Sequence, residues 1–251
     1  MVETLIVIPT CRNPPLKSLE NYQSSRKIVI QVDRAANRAK IEEWAKTLDM
    51  DIDVIWGLKG PAPQSAECYR TGHAYGFKRF FRIDDDLTPG FFIHKSRRLI
   101  SLDEAIDHAE KCADKLGYSL TGFQNSSRID WMMNGFGKTW GQIHGGSQLC
   151  ESMEDPSEII DETLPCYADI YRTLAHRAKD GFCGRVRYIG LDRRESLRDT
   201  TVLKTSKKVS RARKMILEKF PDMVSCSGTR IEDGGRQVIP NWKMKPGKKR
   251  N

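Results

Sequence analysis

The chain reads as an α/β protein, a mostly parallel sheet flanked by helices, and three features of its first half predict this. Thr4-Leu5-Ile6-Val7-Ile8-Pro9 is a continuous apolar run closed by proline, the pattern of a strand covered on both faces. Further apolar runs at 27–32, 52–56 and 80–83 alternate with helical or loop-like segments, as a sheet with crossovers requires. Three segments at strand ends, Thr10 to Asn13, Asp33-Arg34 and Asp84 to Asp86, carry the polar groups expected where open α/β sheets bind ligands.

The elements follow in order. After the loop at 10–15 and the second strand, Ile41, Trp44, Ala45 and Leu48 recur at helical spacing. Gly57 to Pro63 is rich in glycine and proline and reads as a loop, with Ser65 capping a helix to about Tyr75. Ser101-Leu102-Asp103-Glu104 is a capping box, and the helix it opens stops at Gly117. Residues 118–150 are rich in Gly, Asn, Ser and aromatics, which suits strands and long loops around a pocket. A helix is predicted over 164–179, with Ile170, Leu174, Ala175 and Ala178 inward and Asp169, Arg172, Thr173 and His176 on another face. Residues 185–190 give a strand, and a cationic helix over 211–220 ends at Pro221. The expected division is a catalytic domain over 1–200 and a basic helix and tail over 201–251 packed on it.

Composition narrows the classes. With 251 residues and 39% hydrophobic content the chain can bury a core without staples. Seven cysteines with no CxxC argue for reduced thiols and against a disulfide framework or zinc site. No leader and no membrane-length apolar run is visible, so a soluble, cytoplasmic protein is expected. The net charge of +9 implies a polyanionic partner. Its cations crowd into Lys204, Lys207, Lys208, Arg211, Arg213 and Lys214, and into the last residues; a solvated helix face and a tail would look the same.

The most informative stretch is Phe80-Phe81-Arg82-Ile83-Asp84-Asp85-Asp86. Three adjacent carboxylates raise each other's pKa, and a divalent cation bridging them to an anionic substrate would restore the balance. Alternation along an extended segment places Asp84 and Asp86 on one face and Asp85 on the other. An acidic turn after a strand is the alternative.

These residues resemble the glycosyltransferases of the GT-A fold. Ile6-Val7-Ile8-Pro9-Thr10-Cys11-Arg12-Asn13-Pro14 is similar to their first strand and loop. Val32-Asp33 falls where they carry an acid after the second strand, Ala74-Tyr75-Gly76 precedes the fourth strand, and Ile83-Asp84-Asp85-Asp86 occupies the place of the DxD motif. The resemblance implies that Pro9, Thr10, Arg12, Asp33, Asp84 and Asp85 bind a UDP-sugar and that Asp86 with Asp84 holds Mn²⁺ or Mg²⁺. It also implies a general base on a helix start in the second half. Asp169, followed by Arg172, matches best, although Ala168 stands where the family often has Glu; Asp161 and Glu162 remain open. His144 and His176 are the candidates for a further metal ligand.

In overall layout the chain resembles the bacteriophage DNA-base glycosyltransferases associated with TET/JBP-type dioxygenases. That implies transfer of a hexose, chiefly glucose, to 5-hydroxymethylcytosine or 5-hydroxymethyluracil in DNA, with inversion if attack is direct. The base would be flipped out, with Trp131 or Trp140 stacking on it and Lys207, Lys208, Arg211 and Arg213 on flanking phosphates. A metal-dependent nuclease would use the clustered acids and the basic charge equally well, but it leaves the Pro9-Thr10 loop and Asp33 without a role. A non-catalytic nucleic-acid binder would find the acidic triplet a liability.

Overall fold

The computed structural model describes residues 4–224, apart from 35, 86–90, 94–95, 97, 125–132, 140–142, 144–145 and 192–205. Asp86, Trp131, Trp140, His144 and the tail after 224 therefore lie outside the described residues.

The first half is built as its apolar runs require. β1 (Thr4–Thr10), β2 (Ile28–Val32), β3 (Ile52–Trp56) and β4 (Arg79–Ile83) are parallel, with β1 wholly buried between β2 and β4. A short helix α1 (Lys17–Asn21), absent from the sequence reading, follows the first loop, and α2 (Arg38–Ala45) and α3 (Pro61–Ala74) make the crossovers. α3 begins four positions before Ser65, which lies buried inside the helix. Gly60, at φ 101°, turns the chain, and Pro61 sits in the first turn where its missing N–H costs nothing.

The second half adds β5 (Phe91–Ile93), β6 (Leu99–Ile100), α4 (Leu102–Leu116), β7 (Leu120–Gln124), β8 (Phe136–Thr139), β9 (Ser147–Glu151), α5 (Ala168–Asp180), β10 (Cys183–Leu191) and α6 (Ser206–Lys219). Ser101 caps α4 by accepting from the Glu104 N–H at 3.1 Å, and Gly117 ends it in the left-handed conformation.

The strand order is β3-β2-β1-β4-β9-β7-β10-β5-β6, with β8 on β10. β9 runs antiparallel between β4 and β7, while β10 is parallel to β7 and antiparallel to β5 and β8. This is a mixed, mostly parallel sheet with helices on both faces. One core lies between the sheet and α3, α5 and α6, and holds Phe80, Tyr69, Leu174, Ala212 and Phe220. The other lies under α1, α2 and α4, and holds Phe81, Leu19, Ile41 and Ile106.

α5 starts four residues later than its periodicity suggests, because Tyr167 adopts a left-handed φ of 63° at the N-cap. Its polar residues Arg172, Thr173 and His176 are buried, while Ala178, expected inside, is exposed. α6 begins five residues before Arg211.

Candidate active site

The ends of β1, β2 and β4 converge on Thr10. Its hydroxyl donates to Asp85 Oδ2 at 2.5 Å and accepts from the Arg12 backbone N–H at 3.0 Å. Its carbonyl accepts the Asp33 N–H at 2.8 Å. A residue that bonds at once to the loop after it, the turn after β2 and the acid after β4 fixes three loops against one another. Arg12 Nε stands 3.9 Å from Asp85 Oδ1, and the Ser18 N–H donates to the Asp85 carbonyl at 3.2 Å, so the first loop is tied to the acidic stretch at both ends.

Pro9, Thr10 and Asp33 are buried at this junction, and Arg12 is half-buried. Beneath it, the buried Gln31 donates to Thr71 Oγ at 2.7 Å and accepts from the Cys68 thiol at 3.2 Å, which locks β2 to α3.

Asp84 and Asp85 part as strand alternation demands. Asp85 turns to Thr10, while Asp84 turns to Arg82, whose Nη2 lies 3.1 Å from Asp84 Oδ1. Burial works against the Arg82 charge, but Asp84, with Asp169 among further contributors, outweighs it and holds the guanidinium more firmly protonated than usual. Arg82 is therefore within electrostatic reach of both the acid of the first half and the helix-start acid of the second. Sequence reasoning overlooked it; the signal was a cation inside an apolar run, two residues before an acid and so on the same face.

Asp169 is half-buried in the first turn of α5, where the helix dipole favours a negative charge. The other candidates are engaged elsewhere. Asp161 accepts from both the N–H and the hydroxyl of Thr163, at 2.9 and 2.7 Å, and Glu162 pairs with Arg70.

His176 is wholly buried with both ring nitrogens hydrogen-bonded, to Tyr69 Oη at 2.8 Å and Ser119 Oγ at 2.7 Å, so it has no lone pair left for a cation. Ser119 donates to Asp180, so its oxygen accepts from His176 Nδ1–H and the Nε2 atom accepts from Tyr69. Burial, aided by the Arg172 charge, pushes the His176 pKa well below the usual value and keeps the ring neutral.

Among the described residues no group of three or more His, Cys, Asp or Glu side chains could hold a metal. What exists there is Asp84, a partly exposed carboxylate at a strand end, the hard oxygen donor that Mg²⁺ or Mn²⁺ prefers.

On α6, Lys207, Lys208 and Arg211 are exposed and Arg213 half-exposed. At 100° per residue Lys207, Arg211 and Lys214 share one face, whereas Arg213 falls on the opposite flank, so the four predicted phosphate contacts do not form one stripe. The Cys166 thiol reaches the Lys208 carbonyl at 3.7 Å, which places the start of α6 near the approach to α5. Among the described residues no helix is long and apolar enough to cross a membrane.

No protein-family model and no curated protein sequence matches the chain. Solved structures do, and they include those of Staphylococcus aureus TarS, a GT-A-type glycosyltransferase. TarS 1-349 superposes with a TM-score of 0.52 at 10% identity over 86% of this chain and 65% of that one. Its complex with UDP-GlcNAc gives 0.54 at 10% identity, over 86% and 66%. A further TarS structure gives 0.54 at 10% identity, with 86% of this chain covering 39% of that one. This chain thus spans no more than two-thirds of the TarS structures it matches. Its strand order, its crossovers and this superposition together give it the fold of the GT-A-type glycosyltransferases.

Proposed function

We propose that this protein transfers a hexose, glucose being the leading candidate, from a UDP-sugar to the hydroxyl of a hydroxymethylated pyrimidine in DNA. The observation that carries the donor half is the junction at Thr10, which ties three loops together at the carboxyl ends of β1, β2 and β4. A structural neighbour of the same fold has been crystallised with UDP-GlcNAc. On this reading Pro9, Thr10, Arg12 and Asp33 receive the uridine, while Asp85 holds the loop in shape.

Asp84, with Asp86 beyond the described residues, would hold a divalent cation, whose chemistry is to neutralise the departing diphosphate. Arg82, at 3.1 Å, holds Asp84 in orientation. Asp169 takes the proton of the attacking hydroxyl as general base, a role worth about 10²–10⁴-fold, and direct attack inverts the anomeric carbon. The DNA acceptor is supported by the net charge of +9 and by the exposed cations of α6 near the approach to α5.

The test is mass spectrometry of nucleosides from hydroxymethylated DNA incubated with the protein, Mn²⁺ and candidate UDP-sugars. A mass increment of one hexose is expected. It should vanish with Asp169→Asn while that variant still binds UDP; an Asp169→Asn chain with full activity would move the base elsewhere, and no sugar on any hydroxymethylated base would remove the DNA acceptor.

A further inference from the structure

Arg172 is completely buried, and none of its three guanidinium nitrogens has a hydrogen-bond partner. Burying an ion costs several kcal/mol unless a counter-charge and hydrogen bonds compensate, and a fork of unfilled donors is the costliest form of that debt. Cys68 and Tyr69 face Arg172 from α3, Cys150 from β9 and His176 from its own helix, all within electrostatic reach. Burial pushes the Cys68 thiol up to about 12 and raises Cys150 and Tyr69 as well, while His176 is held neutral. The nearest other cation, Arg82, already has Asp84.

None of these described groups carries a compensating negative charge. We propose that Arg172, three residues after Asp169 on α5, forms an anion subsite that receives a phosphate group. A guanidinium offers several N–H donors in one plane and matches phosphate oxygens two at a time. The first turn of α5, three residues earlier, adds the positive end of the helix dipole. Because the nitrogens are sealed from water, the phosphate reaches them only after side chains shift, and the contact then forms in a low-dielectric interior where it is strongest. The phosphate belongs either to the donor diphosphate or to the acceptor backbone. The subsite sits beside the centre proposed above and rests on that reading for its location.

The experiment measures binding of UDP, uridine, inorganic phosphate and a short oligonucleotide to the wild-type chain, Arg172→Met and Arg172→Lys, at constant ionic strength. Arg172→Met should lose roughly 30-fold or more in affinity for one phosphate-bearing ligand and nothing for uridine. Loss confined to UDP assigns the subsite to the donor; loss confined to the oligonucleotide assigns it to the acceptor. The ligand-free Met variant should melt no lower than wild type, since an uncompensated charge has been removed. Wild-type affinities for every ligand in Arg172→Met would overturn the inference. Should the Met variant fail to fold, the decision passes to inorganic phosphate, which must raise the melting temperature of wild type more than that of Arg172→Lys; equal shifts overturn it. If wild type binds no UDP, the donor reading fails by itself, and the phosphate comparison still decides the fate of Arg172.

Discussion

Thr10 shows how one side chain can hold a site together. It is buried, its hydroxyl bridges Asp85 and the Arg12 backbone, and its carbonyl anchors Asp33. Thr10→Val keeps the shape and removes only the hydroxyl, leaving the Asp85 carboxylate short of a donor. The expected cost is about 1–3 kcal/mol of stability, with UDP affinity lowered as the first loop loosens. Thermal unfolding and UDP titration check this, and a variant with unchanged donor affinity would show that the loop is positioned by other contacts. At this scale much was legible, since Pro9, Thr10, Arg12, Asp33 and the Asp84-Asp85 divergence follow from strand ends and alternation. Arg172 and His176 were not, because a polar helical face reads as solvent-facing unless the partner groups on another element are known. Those partners, Tyr69 and Ser119, lie 107 and 57 residues away from His176 in sequence.

At the scale of elements, α5 is set by a buried chain of hydrogen bonds from Asp180 through Ser119 and His176 to Tyr69. Neutral His176 is integral to it, and its folded pKa lies below the value of about 6.5 expected in the unfolded chain. As pH falls the unfolded state therefore takes up this proton first. The stability tied to His176 is complete above about pH 6.5 and is lost progressively below it. Melting temperature should drop from pH 7.5 to 5.5, and His176→Gln should flatten part of that slope; identical slopes would mean that other groups titrate. Two of the element starts that sequence misplaced, those of α3 and α5, share one cause. Gly60 and Tyr167 set the first turns of α3 and α5 through positive φ angles, and an apolar period carries no information about such a kink.

For the whole molecule the relevant quantity is charge. A chain of net charge +9 should bind DNA with a steep salt dependence, while UDP binding should respond far less. Removing Lys207 and Arg211 together, on the shared exposed face of α6, should lower the salt slope on duplex DNA by about 2. An unchanged slope would place the nucleic acid on another surface. Strand identity and the alternation of elements were readable at this scale, because parallel strands are continuously apolar. Strand order was not: nothing in Ser147–Glu151 announces that it inserts backwards between β4 and β7, since register there depends on partners distant in sequence.

That reversed strand has an architectural effect. Because β9 runs against β4, its first residues lie opposite the last ones of β4, with Ser147 across from Ile83 and the Asp84 N–H bonded to the Gly146 carbonyl at 3.0 Å. Had it run the other way, the connection into it would have emerged at the far rim of the sheet. The inversion instead delivers backbone from the second half of the chain to the doorstep of the first-half acid. Mutations along that approach thus retune what is allowed near Asp84 without disturbing the parallel pairing of β1 to β3.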